Sequence, residues 1–193
     1  MLNFSNARQI LPQVWHLPDF FLDPKSVCDS YRSNQQPWKA EYPNRLLTPW
    51  GTNAEIDAAL AAAPEHIQQL TGHSVTTQVG YASLDLSGSR IMMHRLHPDI
   101  GAYIQVFMGE DPAPEMCSVF CCDPDMNANH SQDYADISEF RHDQLVKIKY
   151  RPNDAWLMIN KPRCFFGTVL TVAPNSVRET ICLHFAAELP TST

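Results

Sequence analysis

The sequence predicts a mainly β protein of the α+β class, in which a helical segment precedes a sheet-forming segment. Helical patterns occupy much of the first 73 residues, and from Ser74 onward short β-branched and aromatic runs alternate with Gly, Pro, Asn and Asp. About eight strands with this spacing are typical of a sandwich or a barrel. The chain has 193 residues and no visible repeat or linker. We therefore expect one domain over 1–193, in which 1–73 supports a core formed by 74–187.

The charge balance excludes some classes of function. Lys and Arg total 14 against 21 Asp and Glu, which gives a formal charge of −7. Proteins that bind nucleic acids or anionic membranes need a basic surface, so both partners are unexpected here. No apolar run approaches the roughly 20 residues that cross a bilayer, and the first residues lack the pattern of a signal peptide.

The cysteines indicate a reducing compartment. They form no C-x-x-C pair, and the neighbours Cys121 and Cys122 are a poor framework for disulfides. We therefore expect buried free thiols and a cytoplasmic protein. The six cysteines are Cys28, Cys117, Cys121, Cys122, Cys164 and Cys182.

Two helices are expected before residue 74. Asp23 can cap a helix that begins with Pro24 and continues to about residue 34. Thr52 and Glu55 fit a capping box for an alanine-rich helix. We expect that helix to be interrupted at Pro64, to resume, and to stop at Gly72.

The segment between these helices, 36–50, is turn-rich and aromatic. It contains Trp38, Tyr42, Arg45 and Trp50. These side chains either line a substrate entrance or pack a helix onto the sheet, and the sequence leaves both possibilities open.

Turn residues separate the expected strands. The acidic, polar stretch 123–136 is predicted to be a long loop, of the kind that often covers a binding site. The strands are predicted near 75–85, 89–97, 100–108, 116–122, 144–150, 155–159, 164–172 and 177–187.

The first candidate site is the motif His97-Pro-Asp99. In an extended segment both side chains would point to one face, since side chains alternate along a strand. One imidazole and one carboxylate are two thirds of the facial triad that binds non-haem iron. The motif is short, and a turn that ends a strand explains it equally well.

The second candidate site is the last predicted strand. Arg178, Thr180, Cys182 and His184 occupy alternate positions and share one face. Such a polar row suits the lining of a pocket better than a plain sandwich core. A solvated Arg178 with His184 at a rim is the alternative.

Taken in order, these segments resemble the 2-oxoglutarate/Fe(II)-dependent oxygenase superfamily, in particular its small prolyl-hydroxylase-like members. The resemblance covers about residues 14 to 187. It includes the opening HLPDFF, the segment HRLHPDIGAYIQVFM and the closing segment NDAWLMINKPRCFFGTVLTVAPNSVRETICLHF. It implies a double-stranded β-helix, or jelly roll, with an N-terminal helical layer.

The resemblance also implies roles for individual residues. His97 and Asp99 match the catalytic iron ligands, and Arg178 matches the arginine that binds the C5 carboxylate of oxoglutarate. Tyr103 and Thr180 would also face oxoglutarate, although packing in the core explains Tyr103 equally well. The expected cofactors are Fe(II) and 2-oxoglutarate, and the expected substrate is a small molecule or a peptide.

The sequence departs from the family at the distal metal ligand. Where the family carries F-H-G, this chain carries Phe165-Phe166-Gly167, so Phe166 or, with a shift of one residue, Gly167 takes the place of histidine. His184 is a weak candidate for the third ligand, preferred to His94. His94 lies three residues before His97 and would point to the opposite face of a regular strand.

Three functions remain open from the sequence. The leading one is an Fe(II)/2-oxoglutarate-dependent dioxygenase with an atypical metal site. The second is a catalytically reduced protein that keeps the fold to bind a small acid or a peptide. The third is a cupin-like protein with zinc or manganese on His97, Asp99 and His184, without oxoglutarate. A nucleic-acid dealkylase is disfavoured by the charge of −7.

Overall fold

The computed structural model describes residues 1–33, 38–109, 116–122, 134–161, 163–168 and 172–188. Within them, two helices and thirteen strands form a helical layer and two antiparallel sheets. The fold is a double-stranded β-helix with an N-terminal helical layer, as expected.

With strands numbered in chain order, the two sheets have the following spatial orders. The large sheet contains β1 (Arg8–Leu11), β2 (Val14–Leu17), β11 (Ala155–Ile159), β7 (Ala102–Met108), β13 (Arg178–Ala187), β5 (Val75–Asp85), β4 (Arg45–Leu47) and β3 (Lys39–Tyr42). The small sheet contains β10 (Val146–Lys149), β8 (Cys117–Cys122), β12 (Cys164–Thr168), β6 (Met93–His94) and β9 (Tyr134–Ala135).

The first helix, α1 (Pro24–Arg32), begins as the capping pattern predicts. The side chain of Asp23 accepts a hydrogen bond from the backbone N–H of Ser26 at 3.0 Å, and Pro24 occupies the first turn, where its missing N–H costs little. The helix ends two residues before the expected boundary.

The second helix, α2 (Ala54–Thr71), differs from the expectation at two points. Its cap is Asn53, which accepts from the N–H of Ile56 at 2.9 Å, whereas the hydroxyl of Thr52 donates to Pro49. The helix also runs through Pro64 without a break. Proline removes one backbone hydrogen bond, but the turns on either side bury apolar side chains against the sheet, and this packing outweighs the loss. Gly72 ends the helix in the left-handed region, at φ 75°.

The large sheet separates two cores. Its outer face packs on α2, where Ile56, Ala63 and Ile67 contact a cluster that includes Ile181 and Leu183. Its inner face packs on the small sheet through aromatic rings. Because side chains alternate along β13, the odd-numbered residues enter the helix-side core and the even-numbered residues face the interior between the sheets.

Some strand predictions are confirmed and others are wrong. The predicted strands 75–85 and 155–159 have the observed bounds. The predicted strand 89–97 shortens to Met93–His94. The segment 36–50, interpreted as turns, contains the hairpin of β3 and β4. Residues before 74 thus add four strands to the large sheet.

The expectation of free thiols is wrong for one pair. Cys122 and Cys164 form a disulfide between β8 and β12. The two residues are 42 apart in the sequence, but strand pairing places them directly opposite, with 4.2 Å between the Cα atoms. Cys28, Cys117, Cys121 and Cys182 do not take part in a disulfide.

Among the described residues, no helix has both the length and the hydropathy that crossing a membrane requires.

Candidate functional site

The interior face of the large sheet carries a row of polar side chains near one end of β13. In the pairing of β13 with β5, Arg178 lies opposite Asp85, Thr180 opposite Ser83, and Cys182 opposite Tyr81. Directly opposite residues in a sheet share a face, so these pairs form a polar ladder across two strands. Arg178, Asp85, Ser83 and Thr180 are all buried.

Asp85 lies between two arginines. Arg178 of β13 donates from Nε to Asp85 Oδ2 at 2.8 Å and from a terminal nitrogen to the same oxygen. From the other neighbouring strand, β4, Arg45 Nε lies 2.9 Å from Asp85 Oδ1, and Ser89 donates to that oxygen at 3.3 Å. The guanidinium at the predicted oxoglutarate position is thus paired with a carboxylate of the chain itself.

The other two predicted oxoglutarate-binding residues also have partners within the chain. The hydroxyls of Thr180 and Ser83 are 2.7 Å apart, and the hydroxyl of Tyr103 donates to Cys182 Sγ at 2.9 Å. Burial raises the pKa of Tyr103 well above its ordinary value, so its hydroxyl stays protonated. Gln105 is buried beside Cys182, with 3.9 Å between Nε2 and Sγ.

A cavity of about 340 Å³ opens beside this ladder, and we call it the Arg45 cavity. It brings together residues from β4, β5, β13 and the turn before β7. The side chains that matter for its chemistry are Arg45, Trp50, Tyr81, His97, Asp99 and His184.

His184 is a neutral residue of this cavity. Its Nε2 lies 3.2 Å from the hydroxyl of Tyr81, and its ring packs 4.6 Å from the ring of Tyr103, centroid to centroid. Burial, and then the positive charge of Arg45, lower the pKa of His184 to about 4. The imidazole is therefore uncharged at neutral pH.

His97 and Asp99 lie in a turn between β6 and β7 rather than in a strand. His97 O accepts from the N–H of Ile100 at 2.9 Å, and Asn160 donates to the carbonyls of His97 and Ile100 at 3.0 and 2.7 Å. The side chains of His97 and Asp99 are 69% and 78% exposed, with 3.3 Å between Nδ1 and Oδ2. Asn160 thus orders the turn that carries the motif.

Phe166, at the position of the distal ligand, is part of the aromatic interior. Its ring centroid lies 4.1 Å from that of His94, 5.2 Å from that of Trp156 and 5.6 Å from that of Tyr103. Burial lowers the pKa of His94, which keeps this imidazole neutral beside the phenyl ring.

Gly167 is in contact with the backbone before β6. A Cβ atom at this position would lie 2.9 Å from the carbonyl oxygen of Ile91 and from backbone atoms of Met92. The space beside Gly167 is therefore filled by main chain, and no side chain fits there.

These residues do not fit an iron–oxoglutarate centre. Among the residues that the structure describes, no group of three His, Cys, Asp or Glu side chains could hold a metal ion. His97, Asp99 and His184 line the same cavity without forming such a group. The carboxylate site on Arg178 is taken by Asp85.

Part of this site was predicted from the sequence. Arg45 and Trp50 were candidates for a substrate entrance, and they do line the cavity. Asp85 was missed, because a single acidic residue at the end of a strand gives no local signal of its two partners. Within the predicted loop 123–136, residues 123–133 lie outside the described part of the chain.

Comparison with known proteins finds similarity to solved structures only. No protein-family profile matches the chain, and no curated protein matches it by sequence. HygX from Streptomyces hygroscopicus, with nickel and 2-oxoglutarate bound, is similar with a TM-score of 0.63 at 12% identity, over 96% of this chain and 85% of that chain.

Two further solved structures agree with this fold. A 2OG-Fe(II) oxygenase family oxidoreductase from Burkholderia pseudomallei has a TM-score of 0.63 at 12% identity, over 90% of this chain and 84% of that chain. A prolyl hydroxylase from Trichoplax adhaerens, in complex with a hypoxia inducible factor peptide, has a TM-score of 0.58 at 11% identity, over 91% of this chain and 84% of that chain.

Proposed function

We propose that this chain, which has the double-stranded β-helix fold of the 2-oxoglutarate/Fe(II)-dependent oxygenases, is a ligand-binding protein that does not assemble their iron–oxoglutarate centre. Its ligand is a small molecule or a peptide, and the binding site is the Arg45 cavity. The fold alone does not decide between this function and a dioxygenase, because function depends on the site.

The observation that carries the proposal is the buried ion pair between Arg178 and Asp85. An arginine binds a carboxylate through two parallel hydrogen bonds, and a second carboxylate competes for the same donors. Asp85 is fully buried and the side chain of Arg178 is 3% exposed. To bind oxoglutarate at Arg178, the protein would have to break this pair and bring a second carboxylate beside the buried Asp85, which is costly.

The metal side of the site supports the same proposal. A phenyl ring cannot ligate a metal ion, and Phe166 is surrounded by rings that fill the interior. Two exposed ligands on one turn, His97 and Asp99, provide less than the three protein ligands of the facial triad.

The test is an anaerobic titration with Fe(II) and 2-oxoglutarate, followed by the weak visible charge-transfer band of an iron-bound oxo acid. We expect no band in the wild-type protein and no succinate in the presence of oxygen. Phe166→His restores only the missing imidazole, and it should still lack the oxoglutarate band because Arg178 stays paired with Asp85.

A wild-type band that disappears in both His97→Ala and Arg178→Ala would refute the proposal and establish the dioxygenase function instead. A metal-dependent rise in melting temperature without any effect of oxoglutarate would also refute it, in favour of the cupin-like function. Arg141→Ala, which removes an exposed arginine paired with Asp143, serves as the control for loss of a positive charge.

A further inference from the structure

The cluster through which Arg45 meets Asp85 and Arg178 has an excess of positive charge. Two guanidinium groups, of Arg45 and Arg178, share the single carboxylate of Asp85. Burial is the largest single effect on Arg45 and opposes its charge, but attraction from Asp85, with smaller contributions from neighbouring side chains, raises the pKa of its guanidinium overall. The three side chains therefore carry a net charge of about +1 at neutral pH.

Arg45 is the member of the cluster that lines the cavity. Arg178 donates two hydrogen bonds to Asp85, whereas the buried Nε of Arg45 forms an ion pair with Asp85 Oδ1 at 2.9 Å, outside hydrogen-bond geometry. The side chain of Arg45 is 20% exposed and lines the cavity. A partly exposed guanidinium in a cluster with excess positive charge favours an anion in the cavity, because it can donate charge-assisted hydrogen bonds.

The imidazoles of His184 and His94 do not change the net charge of this cluster. The pKa of His184 is about 4, and the pKa of His94 is also lowered, in both cases first by burial and with a further contribution from Arg45. Of the described residues that line the cavity, Asp99 is the one acid. Its carboxylate is at the exposed rim, beside His97, where water screens it.

Part of the cavity lining is apolar. Leu47, Val79 and Ile100 form this part, and the indole of Trp50 is 64% exposed at the mouth of the cavity. An exposed indole beside a cavity of this size is typical of a surface that stacks on a planar or apolar group.

We propose that the Arg45 cavity binds a small monocarboxylate with an apolar or aromatic body, with its carboxylate on Arg45 and its body against Trp50. This inference rests on the proposed function and adds the chemical class of the ligand. Arg45 would form the charge-assisted hydrogen bonds, and Trp50 would cover the apolar part.

The same geometry disfavours ligands with two negative charges. Arg178 is paired with Asp85, so one uncompensated positive charge is available. The second negative charge of a dicarboxylate or a phosphate dianion would find no further unpaired positive charge in this cluster. Phenylacetate should therefore bind better than 2-oxoglutarate or inorganic phosphate.

The experiment measures binding of phenylacetate to the full chain by tryptophan fluorescence and by the shift in melting temperature. Phenylacetamide has the same body without the charge, and it is the matched ligand control. We expect saturable binding of phenylacetate and at least about tenfold weaker binding of phenylacetamide, as the loss of charge-assisted hydrogen bonds predicts.

Two variants test which side chain binds the carboxylate and which binds the apolar body of the ligand. Arg45→Met should weaken phenylacetate binding at least about tenfold, and Trp50→Ala should weaken it severalfold. Arg45→Lys keeps the positive charge that faces Asp85, so it replaces Arg45→Met in the experiment if that variant does not fold. Arg45→Lys should bind phenylacetate more weakly than the wild type does. The controls are Arg32→Met and Leu22→Ala, which change an arginine and an exposed apolar side chain outside the cavity.

The outcomes separate this inference from the proposed function. If phenylacetamide binds as tightly as phenylacetate, if no carboxylate binds, or if the Arg45 and Trp50 variants bind like the wild type, the inference is wrong, while the proposed function stands. An Arg178-dependent iron–oxoglutarate band would overturn the proposed function and this inference together.

Discussion

Replacing Asp85 by alanine tests the charge cluster on which both proposals depend. The substitution removes a fully buried carboxylate and leaves Arg178 and Arg45 facing each other across the gap. Breaking a buried ion pair by removal of one partner costs about 3–5 kcal/mol. Because Asp85 serves two arginines, we expect a loss near the upper end of this range, which is a fall of roughly 10 °C or more in melting temperature for a domain of this size.

The partner variant should be less harmful. In Arg178→Met, Asp85 keeps Arg45 at 2.9 Å and the hydroxyl of Ser89 at 3.3 Å, so its charge is not left alone. We expect a loss of about 2 kcal/mol, as for the removal of hydrogen bonds to a charged group. Asp143→Ala breaks an exposed pair and should cost less than about 1 kcal/mol.

The assay is urea unfolding of the wild type and the three variants, followed by a rescue experiment. In Asp85→Ala, formate can occupy the space of the lost carboxylate and pair with the arginines. A ligand at ten times its Kd stabilises the folded state by about 1.4 kcal/mol. Formate should therefore raise the melting temperature of Asp85→Ala more than chloride does at equal ionic strength, and the difference should be smaller for the wild type, in which Asp85 occupies that space.

Two results would refute this reasoning. A loss below about 1 kcal/mol in Asp85→Ala would mean that the buried pair contributes no more than a surface pair. Equal effects of formate and chloride on Asp85→Ala would mean that the arginines do not form a carboxylate site.

Three further predictions concern stability. Gly101→Ala should destabilise the protein by more than about 1–3 kcal/mol, because its Cβ would lie 2.4 Å from the backbone nitrogen of Ala187, and an unchanged urea midpoint would contradict this contact. Cys122→Ser should lower the free energy of unfolding by about 2–4 kcal/mol through loss of the disulfide. Cys28→Ser should lower it little in the same unfolding experiment, and equal losses would argue against the disulfide. Folding lowers the pKa of His184 from 6.5 to about 4, so between these pH values the unfolded chain binds a proton that the folded chain does not. The contribution of His184 to stability should therefore be complete above pH 6.5 and decline toward pH 4 by up to about 3 kcal/mol. His184→Gln should flatten this pH dependence of the melting temperature, and an identical slope would exclude His184 as its source.

Local patterns in the sequence predict the parts of the fold that depend on neighbouring residues. The cap at Asp23 and the stop at Gly72 depend on hydrogen bonds and backbone angles within a few residues. The even-numbered row on the last strand follows from alternation, which is a property of any extended chain. These features could be predicted because no distant residue takes part in them.

Features that depend on strand pairing could not be predicted in this way. The disulfide joins residues 42 apart, and its two cysteines meet because β8 lies beside β12. The continuity of α2 through Pro64 likewise depends on packing against the sheet, since propensity alone favours a break. In each case a contact made in the folded state outweighs the local preference.

In the candidate site, too, some features follow from the sequence and others depend on strand pairing. The sequence by itself determined that Phe166 stands where a metal-binding histidine was expected, and that Arg178 faces the interior with Thr180. Only the tertiary structure placed Asp85 between Arg178 and Arg45, because β5 pairs with β13 on one side and with β4 on the other. Pairing between distant strands is set by burial and register over the whole core. Local periodicity therefore does not predict which residues will lie opposite each other on neighbouring strands.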